Sequence, residues 1–191
     1  MKTTERGMSI ERLREMFDLD ESTGAMRWRA RPIHHFKETN SRTAEHAMNR
    51  TNSQYAGKVA FTSRHQLGYL RAELGGQLWQ AHRVVFALHH GRWPDGDVDH
   101  INGDPSDNRP ANLRDVPHAI NMRNMRLRRN NRSGHPGVRF DESTNKWIAD
   151  IRGEGKRHHL GVFDSIEPAI AARNAAEKAF LYHENHGRTA A

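Results

Sequence analysis

The stretch that most constrains what this chain can fold into runs from Val98 to Arg126. It gathers Asp99, His100, Asn102, Asp104, Asp107, Asn108, Asn112, Asn121 and Asn124 around two turn segments. Asp99 and His100 end a short apolar-flanked run, which puts them at the tip of a strand. Asn102-Gly103-Asp104-Pro105 is strong turn chemistry. Asn112 to Val116 can form a second strand, and Pro117 suits the first position of a helix that would carry His118, Asn121, Asn124 and Met125. The order is therefore strand, loop, strand, helix. A carboxylate and an amide oxygen are hard ligands that suit Mg²⁺ or Mn²⁺. An imidazole beside them, neutral near pH 7, is a natural general base for water. The combination suits hydrolysis of a phosphodiester. Any one of these pieces alone is more often an ordinary turn; their conjunction favours a site, with Asn108 and Arg109 read as structural.

These residues carry a resemblance. Asp99-His100-Ile101-Asn102-Gly103-Asp104, Asp107-Asn108-Arg109, Asn112-Leu113-Arg114, Asn121 and Asn124, with His82-Arg83-Val84-Val85-Phe86 upstream, resemble an HNH endonuclease of the phage and mobile-intron type. The resemblance implies a ββα-metal nuclease. It makes Asp99 the first metal ligand, His100 the general base and Asn112 the residue that orients the base through a hydrogen bond. Asn121 falls at the last ligand position, where many members have His and a homing subgroup has Asn.

Composition agrees with a nucleic-acid partner. Against 23 acidic residues stand 30 Lys plus Arg and 14 His, a net charge of +7. A basic chain of this size commonly meets nucleic acid, although charge alone does not demand it. There is no cysteine, which rules out disulfides and Cys-ligated zinc, so packing must hold the chain together. With 35% hydrophobic residues one large core is not expected. No apolar run approaches the roughly 20 residues of a membrane span, and the first residues lack a signal-peptide pattern. No membrane partner is expected, and cytoplasmic localisation is the default.

In chain order, Ile10, Leu13, Met16 and Phe17 recur at helical spacing after Ser9, a candidate N-cap. Asp20 to Gly24 reads as a turn and Ala25 to Arg29 as a strand. This opening also resembles the start of phage HNH proteins, though a hairpin that simply builds core is the preferred reading. Residues 30–56 read as a long polar loop. Gly57 to Phe61 is a weak strand. Residues 68–74 and 77–81 form a hairpin around Gly75-Gly76, and His82 to His90 is a helix stopped by Gly91. His82, His89 and His90 are more readily structural than metal ligands. Arg123, Arg126, Arg128, Arg129 and Arg132 form a basic tether suited to phosphate contacts.

Residues 137–186 read as a separate unit: three short strands and one helix from Asp164 to Glu184, with Asp164 as N-cap and Glu167 as its partner. Strand parity points Val138, Phe140, Trp147, Ala149, Ile151, Leu160 and Val162 at the helix. Arg139, Lys146, Asp150, Arg152, Arg157 and His159 take the opposite face. A small sheet with a basic outer face fits the DNA major groove. The segment resembles the Apetala-type domain of plant ethylene-response factors, which implies that Arg139, Asp150, Arg152, Arg157 and His159 face DNA. His159 stands where the plant pattern has Trp and Asp141 where it has Arg, so plant specificity does not carry over.

The expectation is an α+β chain: a ββα-metal HNH region plus a three-stranded sheet packed on one helix. Its divisions would be residues 1–56 (helix, hairpin and loop), 57–126 (nuclease), 127–136 (basic linker) and 137–186 (DNA-binding). The function expected is a site-directed, metal-dependent endonuclease acting on double-stranded DNA, homing-like or serving phage DNA processing. As a monomer it would nick. The competing expectation is an inactive nuclease fold serving as a DNA-binding regulator.

Overall fold

The computed structural model describes residues 3–121, 127, 131–153, 155–180 and 182. Contacts divide the chain into two compact units, Met1–Pro117 and His118–Ala191. The fold is α+β, with helices interspersed among small antiparallel sheets.

In the first unit, β1 (Thr4–Glu5) and β2 (Met8–Ser9) pair around Arg6-Gly7, both with positive φ. Ser9 then caps α1 (Ile10–Met16), its hydroxyl accepting from the Arg12 amide at 3.2 Å. This is the N-cap the spacing predicts, and it turns Ile10, Leu13 and Met16 into the core. β3 (Phe17–Asp20) and β4 (Ala25–Trp28) form the next hairpin.

The expected loop at 30–56 is not one. It holds a short 3-10 turn, Ile33–His35, and a helix, α2 (Ala44–Tyr55), capped by Thr43. The half-buried residues of α2 include Ala44, Ala47, Met48, Thr51 and Asn52, which is helical i, i+3, i+4 spacing. The stripe is built from small and polar side chains, so it carries no apolar signal. Asn52 works as a backbone mimic: its Oδ1 accepts from the Arg31 amide and its Nδ2 donates to the Arg31 carbonyl, both at 2.9 Å. The weak strand expected over 57–61 shrinks to one bridge, Val59 to Arg27.

β5 (Ser63–Arg64), β6 (Leu70–Leu74) and β7 (Gln77–Gln80) form a sheet. It leads into α3 (Ala81–His90), which ends at Gly91 in the left-handed region, φ 64°. β8 (Asp97–His100) and β9 (Leu113–Val116) pair antiparallel, with Asp99 opposite Arg114 and His100 opposite Leu113. One apolar cluster joins these pieces: Leu13, Phe17, Met26, Leu74, Trp79, Val84, Val85, Trp93, Val98 and Leu113 all belong to it. Fully burying such side chains contributes roughly 1.5–3 kcal/mol each. Trp93 is fully buried, and its indole N–H donates to the Met8 carbonyl at 2.9 Å, so its one polar atom is satisfied. The N-terminal hairpins thus share a core with the strand that carries Asp99 and His100.

The second unit opens with α4 (His118–Asn121). β10 (Val138–Asp141), β11 (Lys146–Gly153) and β12 (Lys156–Phe163) then form an antiparallel sheet in that order, against which α5 (Ile166–Ala179) packs. Val138, Ala149 and Ala169 are the centre of its small core. The register shifts between Ala149 and Asp150: Ala149 faces Gly161 but Asp150 faces His159. This leaves Leu160 as an extra residue, which reverses strand parity beyond it. Val162, expected inward, is therefore 49% exposed. Phe140, also expected inward, is 43% exposed against Trp147.

The cap of α5 differs as well. Ser165 occupies the N-cap position, while Asp164 pairs with Lys146 at 2.8 Å. Arg173 is buried on the inner face of α5, with its Nε on Glu177 at 2.8 Å and its Nη1 donating to the Asp150 carbonyl. A buried cation so thoroughly bonded is a brace between helix and sheet, and an Ala-rich helical pattern gives no sign of it.

Candidate active site

Asp99 and His100 sit where the sequence places them, at the end of β8, and both are buried. The imidazole is held through Nε2, which lies 3.1 Å from Asn108 Oδ1. An amide oxygen only accepts, so Nε2 carries the proton and Nδ1 is the basic nitrogen. The Asn108 amide nitrogen in turn points to the Ser106 carbonyl at 3.5 Å, consistent with that orientation. Burial lowers the pKa of His100; the Asn108 bond and the carboxylates of Asp99, Asp104 and Asp107 oppose it without reversing it. The ring is neutral at pH 7, as a general base must be.

The asparagine bonded to the imidazole is thus Asn108, not Asn112. Asn112 makes no hydrogen bond to the imidazole; it closes the loop that follows. Its Oδ1 accepts from the Asn102 amide at 3.0 Å, and its Nδ2 donates to Asn102 Oδ1 at 3.0 Å and to the Asp107 carbonyl at 2.8 Å. Its own carbonyl accepts from the Ile101 amide at 2.9 Å. Asp107 completes the cage, accepting from Asn102 Nδ2 and from both Arg109 Nε and Nη2. The Arg109 bond, the largest cause, brings the Asp107 pKa down to about 2. Sequence offers three Asn in this loop and no rule for which of them faces His100.

Asp99 accepts from Arg114, whose Nε and Nη2 both reach Oδ2, at 2.9 and 2.7 Å. The cross-strand pairing of Asp99 with Arg114 puts them together. A buried carboxylate beside a neutral imidazole has the donor chemistry of a hard divalent cation site; Arg114 balances its charge in the protein alone. Asn121 closes α4 in the second unit and is half-buried.

The strand is aimed from outside the motif. Arg83 binds Glu5 through Nε and Nη2, at 3.1 and 2.6 Å, and donates Nη1 to the Gly96 carbonyl at 3.0 Å. Asp115 accepts from the amides of Asp95 and Gly96 and from Arg92. Both fix the entry to β8. Gly24, φ 71°, approaches the Asn108 backbone so closely that a Cβ would lie 2.2 Å from its carbonyl. The N-terminal hairpin therefore buttresses the residue that bonds His100.

His82 is the residue that lies nearest a second role. Its ring is 5.0 Å from that of His100, edge-on, and its buried Nδ1 has no hydrogen-bond partner. Burial first, then the His100 and Arg83 charges, bring its pKa down to about 3. It is a neutral wall behind His100. His89 pairs with Glu21 at 3.0 Å and His90 stacks on Phe86. Among the described residues, the grouping of His and carboxylate atoms close enough for a metal is Glu15, His34 and His35, which shares no residue with Asp99 or His100. Both imidazoles bond the same Glu15 oxygen.

Of the expected DNA-facing residues, Arg123, Arg126, Arg128 and Arg129 lie outside the described residues, and Arg132 is exposed. Arg139, Lys146, Arg152, Arg157 and His159 are exposed on the C-terminal sheet and Asp150 is half-buried. Asp150 accepts from Arg157 and lies 3.9 Å from Arg139.

Residues 80–123 match the sequence model of the HNH endonuclease family. Among curated proteins the chain is similar to Protein 3.8 of Escherichia phage T7, 31% identical over 87 residues, which are 45% of this chain and 72% of the phage protein. The chain belongs to the family of that phage protein and carries an HNH endonuclease domain. No solved structure matches it. The HNH domain so defined begins at the last residue of β7 and takes in α3, β8, β9 and α4. His100, Asp99 and Asn108 all fall within it. Glu5 and Gly24, which hold it in place, do not. Among the described residues no helix is long and apolar enough to cross a membrane.

Proposed function

We propose that the protein is a divalent-metal-dependent DNA endonuclease that nicks one strand per active site, acting as a monomer. The observation that carries this is His100: a buried imidazole with Nε2 committed to Asn108 and a lowered pKa. His100 Nδ1 takes a proton from water as the water oxygen bonds to phosphorus, and the bond to the 3′ oxygen breaks. Asp99 and, by its motif position alone, Asn121 are the residues that would hold Mg²⁺ or Mn²⁺, which supplies charge stabilisation at the phosphate and leaving oxygens when bound. Asn112 keeps the loop that carries Asn108 closed. Residues 57–126 are the proposed nuclease region and 127–136 its basic linker. Residues 137–186 are the proposed DNA reader of Apetala type, supported by a three-stranded sheet, a packed helix and exposed cations on the outer face.

Supercoiled plasmid incubated with Mg²⁺ or Mn²⁺ tests the reading. Open circles should accumulate before linear DNA, chelator should stop the reaction, and Asp99→Ala should abolish it at matched metal concentration. Cleavage that persists in excess chelator would remove the metal from the mechanism. One observation favours the regulator instead: Arg114 already occupies Asp99 Oδ2. Sequence-selective binding with no cleavage under any divalent metal would decide for it.

A further inference from the structure

The first unit holds a cavity of about 300 Å³ that the chemistry above does not use. Its lining includes Glu5, Arg6, Tyr69, Arg71, Trp79 and Arg83. Tyr69 is the link to the base: its ring lies 5.3 Å from His82 and 5.8 Å from His100. The cavity is thus one aromatic side chain away from His100. Three guanidinium groups meet a single carboxylate there. Glu5 is spent on Arg83, which leaves two cations without an anion.

Arg6 is an exposed residue and Arg71 is not. Arg71 is half-buried on β6, and its side chain makes no hydrogen bond or ion pair among the described residues. Its guanidinium donors are therefore available to a ligand that supplies acceptors. Arg6 stands in the left-handed region, φ 48°, in the β1–β2 turn. Gly or Asn suits that conformation better. Its side chain lies over Trp79, with the guanidinium carbon 5.6 Å from the ring centroid, and donates Nη1 to the Leu78 carbonyl at 3.3 Å. The two-residue turn requires positive φ at both positions, and Arg6 meets that requirement with a cation at the cavity in place of Gly or Asn.

We propose that this cavity seats a backbone phosphodiester of the DNA duplex, with Arg6 and Arg71 as its charge-assisted donors. The forked donors of Arg match phosphate oxygens. The cavity's volume falls at the lower end of ligand-sized pockets, roughly 300–1,000 Å³. Its position beside Tyr69 lets a phosphate held there set the register of the strand whose neighbouring linkage meets His100. The proposal rests on the nuclease reading.

Arg6→Asn, Arg71→Met and the double variant test it through binding of a fluorescein-labelled duplex over a series of salt concentrations. Loss of this one phosphate contact should make the slope of log affinity against log salt shallower by about 0.9 in the double variant and by no more than that in either single one. Affinity should fall several-fold per variant. Arg6→Asn should melt no lower than wild type, because Asn tolerates the turn. Wild-type slopes and affinities in both single variants would overturn the proposal, as would a loss confined to a variant that melts lower, since the guanidinium would then be structural. Inorganic phosphate provides the second arm. If it raises the melting temperature of wild type but not of Arg71→Met, while duplex binding is the same in both, the cavity is a free-anion site and the DNA assignment is wrong. Wild type that neither binds nor cuts duplex would defeat the nuclease reading and this proposal with it. Wild type that cuts, alongside variants that bind as well as it does, would defeat the cavity alone.

Discussion

Asp99, His100, Asn108 and Asn112 are all buried in the first unit, each tied to a partner in the same hairpin and loop. In the second unit Arg139, Arg152, Arg157 and His159 stand on the exposed side of a sheet, and Asp150 alone crosses it to meet two of them. The contrast separates two uses of polar residues. Buried polar groups must have complete hydrogen-bond sets, and a complete set fixes a side chain tightly enough for chemistry. Exposed charges add little to stability and remain available to a partner. The first arrangement should fail abruptly when one member is removed; the second should respond in small steps.

The largest effect expected is that of His100→Ala. Loss of a general base typically costs on the order of 10² to 10⁴ in rate, and duplex affinity should stay near wild type because the imidazole acts on water. Cleavage at wild-type speed would exclude His100 as the base. The pH dependence has a definite sign. The folded pKa of His100 lies below the usual His value, so activity should hold through neutral pH and fall only in acid. Stability follows the same direction. His82 and His100 bind protons more readily unfolded than folded, so stability should rise with pH up to about 6.5 and level off above it. It should be lost progressively as pH falls toward the folded pKa of His82, about 3. Urea unfolding at about pH 5 and about pH 7.5 checks the slope, and His82→Phe should flatten it.

The same contrast governs what could be read from sequence. α1, the β6–β7 hairpin, α3 and β8 were legible because apolar spacing, Ser9, Gly75-Gly76 and Gly91 are local signals. Helix α2 was not, because its inward stripe is Ala, Met, Thr and Asn. The faces of β10 and β11 follow simple parity, although Phe140 opposite Trp147 stays largely exposed, but β12 does not, since the extra residue at Leu160 reverses it. In the site, Asp99 and His100 stood out as a pair. Asn108 did not, because a loop with Asn102, Asn108 and Asn112 can close in several ways and only tertiary geometry selects one.

That selection can be tested next. Asn108→Ala orphans a buried imidazole N–H, which costs about 1–3 kcal/mol where the group stays buried. Its effect should appear in kcat and in the acid limb of the pH profile, because the ring is freed to change tautomer. Asn112→Ala removes three side-chain hydrogen bonds from the loop and should lower the melting temperature more than it alters the pH profile. Urea curves and pH–rate profiles of both variants distinguish base orientation from loop closure. The reverse pattern would return the orienting role to Asn112.

The smallest effect expected is on the C-terminal sheet, at Asp150→Asn. The Asp150 carboxylate holds Arg157 and attracts Arg139, while its backbone separately bonds Gly137 and Arg173. The substitution removes the charge and leaves the backbone bonds in place. Exposed ion pairs contribute about 0–1 kcal/mol, so stability should move by no more than that. DNA binding should tighten a few-fold, because two guanidinium groups are released beside Arg152, which has no ion pair among the described residues. If both then reach phosphates, the salt slope should steepen by up to about 1.8. Anisotropy with a specific and a random duplex at several salt concentrations reads the outcome. Weaker binding with loss of sequence preference would make Asp150 a base reader, since a carboxylate can accept from cytosine N4 in the major groove. Unchanged affinity and slope on both duplexes would mean that this face does not meet DNA, and the second unit's sheet and helix would then be a packing domain.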